Sequence, residues 1–295
     1  MERTRIGVAI ACFNRRDKTE ACLRALFAAA DRVHDTVQLT VVLTDDASSD
    51  GTPGMVASCF PAVEILHGSG SLYWAGGMRL ALAQLYMQHL DSYLWLNDDT
   101  ILEADSLQVL LATQRQLRQS TGRDGIIVGS TRGASGALSY GGLRRKPYRF
   151  GALSFERMAP GNAPLPCDTH NGNVVLVSAD AASRLGNLDP IFQHGMADID
   201  YGLRAKSAGV PVWLMPGYAG TCDFDRQVAG SFLDPALPLR RRWQLISSPK
   251  GLPYAPWSVL CRRHAGRLWA LHFSWPYTRT ILSSLANSAL RLRVR

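Results

Sequence analysis

The sequence predicts an α/β fold with a doubly wound, mostly parallel sheet, and three observations lead to that prediction. Four apolar runs of strand length lie in the first hundred residues, and segments with helical spacing of apolar residues separate them. Strands that alternate with helices form parallel sheets through right-handed crossovers. Each run also ends in a polar or glycine-rich loop, and such loops gather at one sheet edge, where open α/β sheets bind ligands.

The first half of the chain supplies these elements in regular alternation. The apolar runs predict strands over residues 6–13, 39–43, 63–66 and 93–96. The segments between them predict helices over residues 17–30, 55–59 and 78–89. Asp17 is expected to cap the first of these helices.

The second half is less regular. Short strands are predicted over residues 125–129, 174–177 and 210–215, and a short helix over 180–185. Residues 131–166 are rich in glycine, proline and arginine, which predicts hairpins or loops. A further helix is expected to start at Asp198 and stop at Gly209, with Asp198 and Asp200 at or before its first turn. A plain N-cap is the alternative role for Asp198.

The other elements are arranged around the fourth strand and the polar residues that follow it. Leu96 leads directly into Asn97, Asp98 and Asp99. Adjacent carboxylates repel each other unless they are solvated, or unless a cation lies between them and a ligand. Mg²⁺ and Mn²⁺ prefer oxygen ligands and are often held by one or two carboxylates together with substrate phosphates. A metal site and a solvated turn both stay open on this stretch alone.

The loops that follow the four strands are expected to share one crevice. They contain Asn14 and Arg15, Asp45 and Asp46, segment 68–77, and Asp98 and Asp99. The glycines of segment 68–77 do not match GxxxxGK[ST], which disfavours a P-loop ATPase. No GxGxxG follows the first strand, so a Rossmann dinucleotide site is also disfavoured.

Composition narrows the class of protein. No 18 consecutive residues are apolar, so no transmembrane helix is predicted, and residues 1–5 lead into the first strand without a signal-peptide region. Six cysteines are widely spread and form no CxxC pair. This usage fits reduced thiols in a cytoplasmic protein better than zinc sites or disulfides.

Positive charge is concentrated at the end of the chain. Residues 235–295 contain eleven of the 32 basic residues and none of the 24 acidic ones, so the other residues carry a net charge of −3. Aromatic residues alternate with these arginines, as in Trp243, Trp257, Trp269 and Trp275. Basic and aromatic residues combine in this way in segments that bind anionic membrane surfaces. The alternatives are a helical cap with exposed arginines and, disfavoured because no motif accompanies it, a nucleic-acid site.

Four sequence blocks carry a family resemblance. They are ACFNR at 11–15, LTDDASSDGT at 43–52, LNDDT at 96–100 and ADIDYGLR at 197–204. In this order and spacing, over about residues 5–225, the chain resembles the inverting family-2 glycosyltransferases with the GT-A fold. It is most similar to the bacterial rhamnosyltransferase-like members that build surface polysaccharides.

The resemblance implies a nucleotide pocket and a metal site. The implied nucleotide-binding residues are Phe13, Asn14, Arg15, Asp46, Trp74, Gly76 and Asp98. Asp46 would hydrogen-bond the pyrimidine base, and Asp98 would face ribose or metal. Asn97, Asp98 and Asp99 stand where the family has its DXD motif, so Asp99 would bind the Mg²⁺ or Mn²⁺ that bridges the diphosphate.

The resemblance also implies a catalytic base and an acceptor side. Asp198 stands where the family has its base, with Asp200 as the second candidate, and Ala197 replaces the family's usual glutamate. The expected acceptor or sugar pocket contains Tyr140, Asn171, Gly172, Asn173 and Arg204. Processive members carry a QxxRW motif; the chain has Arg242 and Trp243 but Leu239 at the first position, which disfavours processive synthesis.

The predicted function is therefore metal-dependent, inverting transfer of a sugar, with dTDP-rhamnose favoured as donor and a UDP-sugar next. The acceptor would be a saccharide or lipid-linked saccharide in surface polysaccharide synthesis. Residues 1–234 would form the catalytic domain, divided into a nucleotide-sugar half (1–125) and an acceptor half (126–234), and residues 235–295 a helical region. That region would hold the protein to the inner face of the cell membrane. A nucleotidyltransferase and a non-catalytic scaffold remain as alternatives.

Overall fold

The computed structural model describes residues 3–147, 153–224 and 228–293, with side chains up to residue 285. The chain divides into two compact units. The first unit comprises Met1–Arg144, Glu156–Gln193 and Ala197–Phe224. The second comprises Arg145–Phe155, His194–Met196 and Asp225–Arg295. The domain boundary expected after residue 234 stays a prediction.

The described strands form one large sheet and one small sheet. The strands of the chain are β1 Thr4–Cys12, β2 Val37–Asp45, β3 Val63–His67, β4 Ser92–Leu96, β5 Ile101–Leu102, β6 Ile126–Arg132, β7 Leu138–Tyr140, β8 Gly142–Arg145, β9 Phe155–Arg157, β10 Leu165–Pro166, β11 Thr169–His170, β12 Val174–Ser178 and β13 Val212–Thr221. The large sheet has the order β10-β13-β6-β12-β4-β1-β2-β3, with β5 beside β13 and β7 beside β6. The small sheet has the order β11-β8-β9.

Helices cover the large sheet and make up most of the second unit. The helices of the first unit are α1 Arg16–Asp31, α2 Thr52–Cys59, α3 Tyr73–Tyr86, α4 Ser106–Thr121, α5 Ala179–Leu185 and α6 Ala197–Ser207. Those of the second unit are α7 Leu239–Ile246, α8 Tyr254–His264, a short 3-10 helix Gly266–Leu268 and α9 Trp269–Arg293.

The predicted α/β fold of the GT-A type is confirmed. Strands β4, β1, β2 and β3 are mutually parallel, and helices connect them along the chain. Val8, Ala9 and Ile10 of β1 are completely buried, and because successive side chains point to opposite faces, both faces of this central strand are covered.

Strand β12, in the middle of the large sheet, runs antiparallel to both of its neighbours. Strand β12 pairs antiparallel with β4 and with β6, and its register places Val174 opposite Leu96. Its five residues are all buried, so it has the continuous apolar sequence of a parallel strand. The direction of such a strand cannot be read from its periodicity, which explains why the sequence predicts only a mostly parallel sheet.

Two helices differ from the sequence expectations. Helix α4 was not predicted from the sequence, although Leu107, Leu110 and Leu117 recur on its buried side. Helix α3 starts at Tyr73, five residues before the predicted start. The glycine-rich sequence predicts a loop as far as Gly77. In the structure a Cβ on Gly77 would lie 2.8 Å from the Ala11 Cβ, so glycine here allows the helix to pack closely on β1. 

The start of α1 also differs in detail from the prediction. The helix begins at Arg16, with Arg15 as its N-cap residue, and no side chain caps it by a hydrogen bond. Asp17 lies in the first turn. The expectation that Asp17 caps this helix was therefore wrong, because the N-cap residue is Arg15, two residues before Asp17.

The second unit is helical, as predicted, and is organised around a buried arginine. Arg242 is 3% exposed. It donates to the Phe232 carbonyl at 2.8 Å and to the hydroxyls of Ser283 and Ser284 at 2.9 and 2.7 Å. These bonds connect α7 to α9. Within the described part of the chain, no helix combines the length and apolarity needed to cross a bilayer. Arg295 and the side chains of Arg291 and Arg293, all part of the basic segment, lie outside the described residues.

Candidate active site

The loops that follow β1, β2 and β4 lie at one edge of the parallel sheet. Strands β1 and β2 end in register, with Cys12 opposite Asp45, and β1 also pairs in parallel with β4. The next residues along the chain are Phe13, Asn14 and Arg15 after β1, Asp46 after β2, and Asn97, Asp98 and Asp99 after β4. This is the shared edge that the strand pattern predicted.

The first two loops are joined by hydrogen bonds to each other. The Asn14 side-chain oxygen accepts from the Ser49 amide at 2.7 Å, and the Asn14 amide donates to the Ser48 hydroxyl at 2.8 Å. The Arg16 amide donates to an Asp50 carboxylate oxygen at 2.9 Å. Phe13 extends beside them with 51% of its surface exposed. The two loops therefore hold one fixed shape with an exposed aromatic ring.

Left-handed backbone conformations are concentrated in these loops. Asn14, Ala47 and Tyr73 have φ angles of 50°, 63° and 53°. Asn14 and Ala47 lie in the loops after β1 and β2, and Tyr73 is the first residue of α3, directly after the loop that follows β3. Asparagine tolerates this conformation, whereas it costs alanine and tyrosine about 1 kcal/mol or more. Strain that is retained at one edge of a sheet points to a site there rather than to a plain set of turns.

Asp46 shapes the glycine-rich loop after β3. Asp46 is 6% exposed. Its two carboxylate oxygens accept from the backbone amides of Gly70, Leu72 and Tyr73, at 2.7, 2.8 and 3.1 Å. A Cβ on Gly68 would lie 2.5 Å from the Asp46 Oδ1 atom, so the close approach needs glycine. The contact of Asp46 with a nucleobase, implied by the family resemblance, stays a prediction beside this role.

The two carboxylates after β4 share one guanidinium. The Arg15 Nη1 atom lies 3.2 Å from the Asp98 Oδ1 atom and 2.7 Å from the Asp99 Oδ2 atom. The Asp98 Oδ2 atom is buried and has no hydrogen-bond partner among the described residues. Burial raises the pKa of Asp98 to about 7; the Arg15 charge opposes this shift and the Asp99 charge adds to it.

Cys222 supports the second carboxylate and was not found from the sequence. Its thiol donates to the Asp99 Oδ1 atom at 3.4 Å and accepts from the Asn173 amide at 3.4 Å. Burial, followed by the Asp99 charge, raises the pKa of Cys222 to about 12, so the thiol keeps its proton and acts as a donor. Cys222 and Asp99 lie 123 residues apart, and no local pattern connects them.

The acidic pair fits a divalent cation that a substrate helps to coordinate. Among the described residues, no three His, Cys, Asp or Glu side chains gather into a ready-made metal site. Two adjacent carboxylates, one with a buried oxygen that lacks a partner, match the way Mg²⁺ and Mn²⁺ are held by one or two carboxylates together with phosphate oxygens. A buried carboxylate oxygen without a partner is costly, and a cation would relieve that cost.

Asp198 lies in a second cluster that reaches the same edge. Helix α6 begins at Ala197, so Asp198 is inside its first turn and not at the N-cap. Its two oxygens accept from the Gly172 and Ile199 amides, at 3.1 and 2.9 Å. A Cβ on Gly172 would lie 2.4 Å from the Trp74 ring and 3.5 Å from the Asp198 Cβ, so ring, glycine and carboxylate are neighbours.

Trp74 and Asn173 connect this cluster to the acidic pair. The Trp74 indole nitrogen donates to the Asn97 side-chain oxygen at 2.7 Å. The Asn97 amide donates to the Asn173 carbonyl at 3.0 Å. The Asn171 amide donates to the Gly141 carbonyl at 3.0 Å, which attaches the loop to the residue after Tyr140. The structure therefore brings Trp74 and residues 171–173 to the strand end that carries Asp98 and Asp99.

Asp200 and Arg204 form an ion pair inside the protein. Asp200 is completely buried, and the Arg204 Nε atom lies 2.8 Å from its Oδ2 atom. The guanidinium also donates to the carbonyls of Leu185 and Asn187, at 2.6 and 3.2 Å. This arrangement secures helix α6 and is not an open pocket, so it favours a structural role for both residues.

Two other predicted residues lie apart from these contacts. Gly76 is buried in the first turn of α3, and its amide donates to the Leu72 carbonyl at 3.1 Å. The Tyr140 ring packs against Phe224, with ring centroids 5.4 Å apart, and the Arg157 guanidinium lies 4.2 Å from the Phe224 centroid. Their predicted roles in nucleotide and sugar binding stay predictions.

Two solved structures, each with a bound nucleotide or nucleotide sugar, are similar in fold to this chain. A mannosyltransferase, PcManGT from Pyrobaculum calidifontis in complex with GDP-Man and Mn²⁺, superposes with a TM-score of 0.54 and 16% identity, covering 100% of this chain and 77% of that one. S. aureus TarS 1–349 in complex with UDP superposes with a TM-score of 0.52 and 13% identity, covering 88% and 70%. At these identities the similarity shows the fold alone.

Sequence comparison identifies the family. A search of curated proteins finds no match to this chain. The model of glycosyl transferase family 2 matches residues 7–173, which is more than half of the 295 residues and includes the loops after β1, β2 and β4. The match, the GT-A type of sheet and the acidic pair at its edge agree with one another, and the chain belongs to glycosyl transferase family 2.

Proposed function

We propose that this glycosyltransferase moves a sugar from a nucleoside-diphosphate donor to a saccharide or lipid-linked saccharide, with inversion and with Mg²⁺ or Mn²⁺. The observation that carries the proposal is the pair Asp98 and Asp99 at the sheet edge, connected through Asn97, Trp74 and Gly172 to the separate carboxylate Asp198. Two acidic groups with different surroundings suit two different tasks. The similar fold of an enzyme described with GDP-Man and Mn²⁺ supports the metal and donor class.

Asp98 and Asp99 are the residues that would hold the metal. The metal would offset the negative charge that develops on the leaving diphosphate. Cys222 orients Asp99 by donating to it, and Arg15 contacts both carboxylates. Phe13 is the exposed ring available to a nucleobase, and Asn14 and Asp46 fix the loops around it.

Asp198 is proposed as the general base. A carboxylate on the acceptor side can take the proton of the attacking hydroxyl as it displaces the diphosphate. Direct displacement inverts the anomeric carbon, whereas retention would require a carboxylate nucleophile at that carbon. The two amides of Gly172 and Ile199 fix the Asp198 oxygens. Asp200 is buried and paired with Arg204, so it is the weaker candidate.

The donor is proposed to be dTDP-rhamnose, with a UDP-sugar as the next candidate, on the resemblance to rhamnosyltransferase-like enzymes. The test is a panel of nucleotide sugars with Mn²⁺, scored by stabilisation of the native state and by the anomeric configuration of the product. The proposal expects one sugar nucleotide to bind only with metal, and it expects Asp99→Asn to lose that binding without unfolding. Metal-independent binding, or equal binding by Asp99→Asn, would contradict the metal assignment.

The two alternatives have distinct outcomes in the same assay. A nucleotidyltransferase would need a sugar phosphate and a nucleoside triphosphate instead of a nucleotide sugar. A scaffold would neither transfer nor hydrolyse any donor. Replacement of the family's usual glutamate by Ala197 is the feature that favours a scaffold, and Ala197 is buried in the first turn of α6. Family membership favours transfer over the nucleotidyltransferase.

An anionic membrane surface is proposed as the partner of helix α9. Leu271, Trp275, Thr278, Leu282 and Leu285 recur at alternating spacings of four and three residues, and all are exposed. The opposite side of the helix carries Phe273, Tyr277 and Thr280, which are less exposed. Eleven basic and no acidic residues in 235–295 favour anionic lipid and disfavour a second copy, which would bring like charges together. The peripheral position on the inner membrane face rests on the same argument.

A further inference from the structure

Arg15 occupies the place where the acidic pair would receive a cation. One nitrogen of its guanidinium lies 3.2 Å from Asp98 and 2.7 Å from Asp99. The Asp98 side chain is only 6% exposed, so a second charge beside it would be costly without compensation. The guanidinium supplies that compensation and thereby uses the same carboxylate groups that a metal needs.

The arginine is also the most exposed member of this group. Its side chain is 38% exposed, against 6% for Asp98 and 16% for Asp99. Asp99 is further fixed by the thiol of Cys222, whereas Arg15 approaches from the start of α1, at the edge where the nucleotide is proposed to bind. The Asp98 Oδ2 atom still lacks a hydrogen-bond partner among the described residues, so Arg15 satisfies the pair incompletely.

We propose that Arg15 is a resident cation that competes with the divalent metal for Asp98 and Asp99, and that it moves to the donor's diphosphate when metal and nucleotide bind together. This inference rests on the proposed function. A divalent ion at the carboxylates repels the guanidinium, and a diphosphate offers it a charge-assisted, bidentate partner. Metal alone therefore binds weakly, and metal and nucleoside diphosphate strengthen each other's binding by the same factor.

The first test measures Mn²⁺ alone, without any nucleotide, by the loss of the free-ion signal in electron paramagnetic resonance. Arg15→Ala should bind Mn²⁺ at least about tenfold more tightly than the wild type, since a competing charge has been removed at contact distance. Arg15→Gln should change in the same direction and keeps the test valid if the alanine variant folds poorly. Arg16→Ala is the matched control, because it removes an equal charge one residue away whose ion-pair partner is Asp17.

The second test repeats the titration with dTDP, UDP or GDP present. The nucleotide that binds should tighten Mn²⁺ binding strongly in the wild type and much less in Arg15→Ala. If Arg15→Ala binds Mn²⁺ alone no more tightly than Arg16→Ala does, the inference is wrong. If the wild type binds no Mn²⁺ in either titration and Arg15→Ala loses the nucleotide, Arg15 is instead a permanent substitute for the metal, which also overturns it. Tighter Mn²⁺ binding by Arg15→Ala without any nucleotide effect would uphold the competition, but it would contradict both the move of Arg15 to the diphosphate and the proposed function.

Discussion

Asp98 and Asp198 have the same side chain but differ in burial and in hydrogen bonding. Asp98 is nearly buried, keeps one oxygen without a hydrogen-bond partner among the described residues, and has a pKa raised to about 7 by burial. Asp198 is partly exposed, and two backbone amides hold its oxygens. The first environment suits the proposed metal site, whereas the second suits the proposed general base, because its carboxylate is held in one orientation.

Replacement of Asp198 tests the proposed base. Asp198→Asn should bind donor normally and lose transfer by about 10²-fold or more, which is the usual scale for removal of a general base. Asp200→Asn, the matched control, should lower stability because it leaves Arg204 without its buried partner. Donor affinity and initial rates are measured for both. Wild-type turnover in Asp198→Asn would move the base to another residue.

His170 should make folding stability depend on pH. It is completely buried, and burial lowers its pKa from 6.5 to about 4. The native state thus favours the neutral ring. The contribution of the buried neutral His170 to the free energy of unfolding is therefore fully present above about pH 6.5 and is lost as pH falls towards 4. The loss amounts to roughly 3 kcal/mol by linkage. Denaturant unfolding of the wild type and His170→Phe at pH 7 and pH 4.5 measures it; an equal pH effect in both proteins would contradict the assignment.

At the scale of elements, the parallel strands and their terminal loops were predictable because each strand contains a mostly apolar run that ends in a polar or glycine-rich loop. The contacts across the site were not. Trp74 and Gly172 meet only because α3 starts at Tyr73 and the loop after β11 returns to it, and Cys222 reaches Asp99 from the last strand. Such pairs are separated by many residues and leave no periodic signal. The sequence therefore predicted most of the candidate site residues but not which of them contact one another.

The contact between Gly172 and Trp74 gives a prediction about the loop that positions Asp198. Gly172→Ala would place a Cβ 2.4 Å from the Trp74 ring. This overpacking should lower the free energy of unfolding by about 1–3 kcal/mol. The double variant with Trp74→Ala should be less destabilised than the sum of the two single variants, because the ring is absent. Gly161→Ala is the control, since its Cβ would meet nothing within 4 Å. Additive free energies of unfolding would show that the contact is not formed.

For the whole molecule, the contrast in charge between residues 235–295 and the remainder predicts behaviour at lipid surfaces. The protein should bind anionic liposomes at low salt and more weakly at high salt, since exposed charges are screened over about 8 Å at physiological ionic strength. Trp275→Ser with Leu282→Ser should remove the salt-resistant part of the binding, while Thr278→Ser should not. Sedimentation with anionic and neutral liposomes measures both parts. Equal binding by the Trp275 and Leu282 variant would exclude α9 as the inserted face.

The position of β12 sets the order in which the protein can be completed during synthesis. Strand β12 lies between β4 and β6, so one edge of β4 has no partner until residue 178 has left the ribosome. Until then the nascent chain carries an apolar strand edge of the kind that pairs with other chains. Residues 1–125, the proposed nucleotide-sugar half, are therefore not expected to fold as a separate piece, and a fragment ending at residue 125 would be prone to aggregate.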